Sequence, residues 1–267
     1  MKICFRKGTS VMNHPSIIQG AEAFHLKGND VGILLCHGFV GTPQSMETIG
    51  RKFAAKGFTV RAPRLTGHGT DPYDFEKATY HDWITDLEEN YLELKKTCSQ
   101  IFVVGQSMGG LLALIIAGRF KDIAGVITLN VAYEVPGLEM YRNKISPRFI
   151  EESAPDIKNK NVHEITYPYI PITAINELLS VAQYTKQHIH QVECPVLLFR
   201  SSVDHVVPPE STNDAYDQLQ TTQKEIITLT NSYHVASMDY DNEKIINDSV
   251  TFISKTTRQQ GQVPCLI

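Results

Sequence analysis

The hydrophobic and polar positions along the chain alternate between two kinds of run. Short, continuously apolar and β-branched stretches fall at Val31–Cys36, Phe58–Leu65, Ile101–Val104, Ile123–Leu129, Pro195–Arg200 and Glu225–Leu229. Runs of this length with no polar alternation predict strands buried on both faces. Between them lie stretches with helical spacing. Over Gln44–Lys56, Met46, Ile49, Phe53 and Ala54 share a face, and Gly57 stops the run. Over Tyr80–Lys96, Trp83, Ile84, Leu87, Tyr91 and Leu94 are apolar, with Glu and Lys opposite. An apolar helix follows the strand at Ile101–Val104, and Asp239–Ser254 predicts a closing helix. Strand and helix in strict alternation imply an α/β fold, with a mainly parallel central sheet covered by helices on both faces. Right-handed crossovers then bring the carboxyl ends of the strands to one edge.

One stretch breaks the rhythm. Between Asn130 and Gln191 no central strand appears, and Pro136, Pro147, Pro155, Pro168 and Pro171 interrupt the chain. It ends in a helical pattern over Ile172–Tyr184, with Ile172, Ile175, Leu179 and Ala182 on one face. A structureless loop of that length is unusual inside a compact domain. The pattern therefore predicts one domain over 1–267, with 131–191 inserted as a cap of short helices. A second packing layer without a role in binding is the alternative.

The bulk numbers narrow the class. The chain has 267 residues, enough for one large α/β domain, and a formal net charge of −4, which gives no reason to expect nucleic acid. No apolar run approaches the ~18 residues of a membrane span. Lys2, Arg6 and Lys7 have no apolar stretch behind them, unlike a signal peptide. Cys4, Cys36, Cys98, Cys194 and Cys265 are scattered and lack metal-ligand spacing, which predicts reduced thiols and a cytoplasmic location. Cys265 is third from the end, whereas a prenylation box needs it fourth.

The candidate chemistry sits where strands end. Gly105-Gln106-Ser107-Met108-Gly109 joins a strand to a helix, the context of a nucleophile elbow. A serine hydroxyl needs an imidazole to take its proton and a carboxylate to orient that imidazole. In the order serine, acid, histidine, the candidates are Asp204, after the strand Pro195–Arg200, and His234, after the strand Glu225–Leu229. Asp204 has an alternative use in ordering the turn before Pro208. His205 competes as a base, but its place beside Asp204 hinders a ring contact within one turn. Asp239 and Asp241 read as caps of the last helix.

A tetrahedral intermediate needs two donors for its oxyanion. The peptide N–H of Met108 opens a helix whose dipole favours an anion. The loop after Val31–Cys36, His37-Gly38-Phe39-Val40-Gly41-Thr42, offers the N–H of Phe39, with the Phe39 side chain toward an acyl pocket. His37 reads as a brace for that loop, Cys36 as core, and Gly67-His68-Gly69-Thr70 as a packing turn.

Taken together, these segments resemble the bacterial monoacylglycerol lipases and, more loosely, the small bacillary carboxylesterases. The resemblance rests on His37-Gly38-Phe39 with Gly41-Thr42-Pro43, Pro63-Arg64-Leu65 with Gly67-His68-Gly69-Thr70, His81-Asp82-Trp83, Gly105–Gly110, Asp204–Pro209 and Asn231–Ala236, followed by Met238 and Asp239-Tyr240-Asp241. It runs from about Gly20 to Ser254. It implies an α/β-hydrolase fold with a small cap, no cofactor, and hydrolysis of medium- to long-chain monoacylglycerols; no metal is expected either, since the histidines lack paired ligand spacing. It also implies that Glu164 and Asn130 bind the glycerol hydroxyls. The bland alternatives are that Glu164 caps a cap helix and Asn130 ties down the cap hinge. The elbow departs from the family in carrying Gln106 where Leu is more frequent. Between Val131 and Asp156 the match is poor, with Met140, Tyr141 and Arg142 unlike the small residues of the family.

The partner implied is a small apolar ester, with the apolar cap helix able to touch lipid aggregates in passing and no stable membrane insertion. Other carboxylic esters or thioesters suit the same triad, because fold and triad do not fix the substrate. A binding protein on a hydrolase scaffold is the non-enzymatic alternative.

Overall fold

The computed structural model describes residues 16–259. The readings made on Lys2, Cys4, Arg6, Lys7 and Cys265 lie outside them.

Seven strands form the central sheet: β1 (Phe24–Leu26), β2 (Val31–Cys36), β3 (Thr59–Ala62), β4 (Gln100–Gln106), β5 (Gly125–Leu129), β8 (Val196–Ser201) and β9 (Lys224–Leu229). Their order across the sheet is β1-β3-β2-β4-β5-β8-β9. All pairs are parallel except β1 with β3. β2, β4 and β5 are buried along their whole length, which is why they read as unbroken apolar runs. Alternation within them feeds two cores. Leu34, Val103 and Val126 face α3 (Tyr80–Lys95), α4 (Met108–Arg119) and α5 (Ile172–His188). Ile33, Leu35, Phe102, Val104 and Ile127 face α1 (Gln44–Ala55) and α7 (Asn242–Gln259). A short α2 (Pro72–Phe75) and α6 (Pro209–Gln218) complete the helices.

Two predicted elements differ. The strand expected over Phe58–Leu65 is confined to Thr59–Ala62, because Gly57 and Phe58 still close α1 and Pro63 has no N–H for the ladder. The antiparallel β1 went unread, since three residues carry no detectable period. The closing helix starts at Asn242 rather than Asp239.

The stretch between β5 and β8 is also not a set of short helices. It holds a 3-10 turn at Pro136–Tyr141, a two-stranded antiparallel ribbon of β6 (Phe149–Glu151) and β7 (Tyr169–Pro171), and the long α5. Ile172, Ile175, Leu179 and Ala182 of α5 are buried in the same core as α4. The expectation that this apolar stripe touches lipid aggregates therefore fails: it is turned inward. The exposed apolar side chains of the insertion are instead Met140 and Ile145, 62% and 83% accessible, with Tyr169 half exposed. The ribbon is tied to the body where the Tyr167 hydroxyl donates to Gly67 O (2.6 Å) and accepts from Thr70 N (2.7 Å). Among the described residues, no helix is long and apolar enough to cross a membrane, and Cys36, Cys98 and Cys194 are free thiols.

The topology locates the site. The order β3-β2-β4-β5 reverses direction between β2 and β4, and Cys36 pairs with Gly105 at their carboxyl ends. The loops leaving those two strands diverge over a crevice, where ligands of open α/β sheets bind.

Candidate active site

Ser107 occupies the turn between β4 and α4 at φ 54° and ψ −118°. That backbone is costly for any residue with a Cβ and persists only where the surroundings enforce it. Here they do so by close approach. A Cβ on Gly105 would lie 2.0 Å from Gly109 O, and one on Gly109 would lie 2.3 Å from Cys36 O. Glycine is thus obligatory at both flanks of the elbow. Ser107 N donates to Leu129 O (2.8 Å), pinning the turn to β5.

The structure brings the three predicted side chains into one row. His234 Nε2 lies 3.0 Å from Ser107 Oγ, and His234 Nδ1 lies 2.7 Å from Asp204 Oδ2. A carboxylate only accepts, so Nδ1 carries the proton and the Nε2 lone pair faces the hydroxyl. Asp204 is itself fixed: its Oδ1 accepts from Val206 N (2.9 Å) and Val207 N (2.8 Å). The turn and the triad therefore use different oxygens of one carboxylate. Burial alone would lower the basicity of His234. The Asp204 charge and hydrogen bond, with smaller contributions from Asp156 and Glu164, more than offset it and hold its pKa above the ordinary value.

The predicted oxyanion residues flank the hydroxyl. Met108 is the first residue of α4, directly after the serine. On the other side, a Cβ on Gly38 would sit 4.0 Å from Ser107 Oγ, so the peptide leading into Phe39 runs against the nucleophile. His37 braces this loop, with Nδ1 2.9 Å from Gly38 O and Nε2 accepting from Leu65 N (3.2 Å). Burial, the main cause, depresses its pKa to about 4, so it stays neutral and holds both bonds. The Phe39 ring packs against Phe75 and Trp83.

Ser107 and His234 open into a cavity of about 320 Å³. Its apolar wall includes Phe39, Val40, Val135, Leu138, Ile170 and Leu178. Glu164, predicted to bind the alcohol, lines it too and is only 6% exposed. It caps no helix. Gln44 at the start of α1 grips both its neighbours, donating to His163 O (2.8 Å) and accepting from Ile165 N (3.2 Å). Burial raises the Glu164 carboxyl to about 7, while His234 and a hydrogen bond from Ser45 pull the other way.

Asn130 requires a correction. Its side chain is buried outside the cavity lining, at φ 47°. Its amide donates to Ser201 Oγ (2.9 Å), His234 O (2.8 Å) and Tyr233 O (3.1 Å), and its oxygen accepts from Ser201 N (2.7 Å). With every polar atom engaged, it ties the ends of β5 and β8 to the histidine loop and has nothing left for an alcohol. Asp239 and Asp241 are corrected in the same way. Asp239 is buried and accepts from the N–H groups of Lys158, Asn159, Tyr233 and Tyr240. Asp241 accepts from Asn231 N and Ser232 Oγ. Both carboxylates brace the histidine loop, and Asp241 also stands directly before α7, where its carbonyl oxygen accepts from Ile245 N (2.9 Å). Gln106, the departure in the elbow, accepts from Ser237 N (3.1 Å) and reaches that loop from the other side.

Among the cavity residues that escaped the sequence reading are Glu152 and Asp156. Both lie in the irregular segment between β6 and β7, where no periodicity or motif marks them. Glu152 has its carboxyl raised to about 7 by burial and by the nearby Glu164.

A family model described as serine aminopeptidase, S33, matches residues 29–241. The thermostable monoacylglycerol lipase of Bacillus sp. (strain H-257) is 41% identical over 241 residues, 90% of this chain and 96% of that protein. A carboxylesterase of Bacillus subtilis (strain 168) is 25% identical over 88% of this chain and 96% of its own length. A solved structure reported under the heading of LipS and LipT, two metagenome-derived lipolytic enzymes, superposes with a TM-score of 0.87 at 38% identity, covering 90% of this chain and all of that one. The elbow, the parallel sheet and these likenesses agree: the chain belongs to the serine aminopeptidase S33 family of α/β-hydrolases.

Proposed function

We propose that this hydrolase cleaves monoacylglycerols to glycerol and free fatty acid through an acyl-enzyme on Ser107. The observation that carries the reading is the hydrogen-bonded row from Asp204 through His234 to Ser107, at 2.7 and 3.0 Å, opening on an apolar cavity. His234 removes the Ser107 proton as Oγ attacks the ester carbonyl. The N–H groups of Phe39 and Met108 hold the oxyanion, with the N-terminus of α4 adding its dipole. His234 returns the proton to the leaving alcohol, then activates the water that releases the fatty acid. Asp204 keeps the imidazole in the required tautomer and stabilises its charged form.

The substrate class follows from the cavity. Its volume is at the low end of small-molecule sites, roughly 300–1,000 Å³, which favours one acyl chain over the three of a triacylglycerol. The leaving oxygen must face His234 Nε2, so groups beside His234 face the alcohol. Glu164 is such a group, and its carboxyl, raised to about 7 by burial, can in its protonated form both donate to and accept from a hydroxyl. Named relatives support the same substrate, since one is called a monoacylglycerol lipase. In this reading 131–191 is a cap that closes the acyl cavity, and the free thiols suit a cytoplasmic setting. A general carboxylesterase or thioesterase is the second reading, favoured by the likeness to the B. subtilis carboxylesterase.

Ser107→Ala tests the core of the proposal. Turnover of a chromogenic acyl ester is expected to fall by at least about 10³-fold, with an unchanged melting temperature; undiminished turnover removes the mechanism. Comparing glycerol monoesters with simple alkyl esters and with di- and triesters of equal chain length separates the two substrate readings.

A further inference from the structure

Asp156 stands in the insertion, yet its carboxylate touches both catalytic loops. Oδ2 accepts from the backbone N–H of His234 (3.2 Å) and from that of His205 (3.0 Å), the residue after Asp204. Oδ1 lies 2.8 Å from His205 Nδ1. The Asp156 carbonyl oxygen also accepts from Val235 N (3.1 Å). One carboxylate thus bridges the main chain of the acid loop and of the base itself. Both histidine and aspartate line the cavity. Tyr233 packs edge-on against the His205 ring at 4.7 Å and backs the arrangement from the histidine loop.

We propose that Asp156 is a positioning residue through which the insertion sets the geometry of the catalytic pair, holding the acid loop and the base in register for catalysis. This rests on the ester-hydrolase reading above. Physically, the Asp204–His234 hydrogen bond spans two loops from different strands, and its length depends on their separation. Asn130 and Asp239 fix the far side of the histidine loop. On the cavity side, Asp156 holds that loop and the acid loop on a single pair of oxygens. Charge-assisted bonds of this kind are the stronger sort, and three of them converge on one group. The same negative charge lies near the imidazole and favours its protonated form, which develops in the transition state. The groups facing His234 are Asp204, Asp156 and Glu164. Those facing Asp156 are His205 and the His234 backbone, with Lys158 beside it bonded to Asn231 and over the Tyr233 ring.

The test compares wild type, Asp156→Asn, Asp156→Ala and His205→Ala on a soluble monoacyl ester, reading kcat, KM, the pH profile and the rate at which a fluorophosphonate labels the serine. Asp156→Asn keeps one accepting oxygen and loses the charge. It is expected to lower kcat by roughly tenfold and Asp156→Ala by up to about a hundredfold, as positional errors near a reacting centre do, with KM within about twofold. The acidic limb of kcat/KM is expected to move to lower pH in both. His205→Ala, which leaves the two main-chain bonds in place, is expected to lose less than about threefold. Unchanged kcat in Asp156→Asn, or a fall in kcat with the acidic limb unmoved, overturns the proposal; so does a loss expressed only in KM. Should Asp156→Ala not fold, Asp156→Asn and His205→Ala still decide. Wild type that fails to react with the fluorophosphonate sinks the ester-hydrolase reading itself, whereas wild type and Asp156→Asn labelled equally fast sink this inference alone.

Discussion

At the scale of single residues, the active-site chemistry depends on which atoms of a polar group are already engaged. Asp204 divides its oxygens between its own turn and His234. The consequence for His234 is a pKa above the ordinary ~6.5, in spite of its burial. Catalysis needs the neutral imidazole, and a raised pKa keeps the proton on to higher pH. The acidic limb of kcat/KM is therefore expected above pH 6.5; a limb below 6 would show that Asp204 does not offset the burial of the ring. Asn130→Ala is expected to lower kcat and to cost about 1–3 kcal/mol, because it strands the buried Ser201 N–H and removes the amide that links Ser201 to the Tyr233 and His234 carbonyls. Chemical denaturation read against turnover checks both. The residues of the row were legible because each stands next to a strand end within a short motif. Asp156, Glu152 and the true uses of Asp239 and Asp241 were not: a loop carboxylate carries no signature of which distant N–H it accepts from.

At the scale of elements, legibility followed burial. β2, with apolar residues on both faces, was read to the residue at Val31–Cys36, and α1 and α3 to within one. β1 and the ribbon strands, three residues each, lack a period to detect. The apolar stripe of α5 was visible, but not its partner; α4, buried on every face from Met108 to Gly118, needed a helix on its outer side and takes α5. The elbow is where element packing meets chemistry. Gly109→Ala would thrust a methyl group to 2.3 Å from Cys36 O and 2.6 Å from His37 O, both backbone atoms that cannot step aside without moving β2 and the oxyanion loop. The expected result is loss of several kcal/mol or more and loss of serine labelling with it. Gly110→Ala, whose Cβ would meet the Val131 side chain at 3.1 Å, is expected to be much milder. Equal stability for Gly109→Ala and wild type by thermal melting would mean that strand and helix are not in contact at the turn.

At the scale of the whole molecule, the site places two carboxyls where water is scarce. Glu164 and Glu152 both have pKa values raised to about 7, by burial first and, for Glu152, by Glu164 next to it. In the unfolded chain each ionises near the ordinary glutamate value of 4.5. Between about pH 4.5 and 7 the native state therefore binds more protons than the unfolded state, and stability must fall as pH rises through that window. Above it the penalty is constant, on the order of 3 kcal/mol for the buried Glu164. Glu164→Gln keeps the shape and removes the ionisation. It is expected to melt several degrees above wild type at pH 8.5, at roughly 2–4 °C per kcal/mol for a chain of this size, and within about a degree of it at pH 4. The gain in stability should come with a loss in use: an amide cannot donate and accept from one oxygen as a carboxyl does, so KM for a glycerol monoester is expected to rise while that for a methyl ester of the same acid stays put. A melting difference equal at both pH values would show that Glu164 is solvated, and would remove the physical reason for a carboxyl at the alcohol end of the cavity.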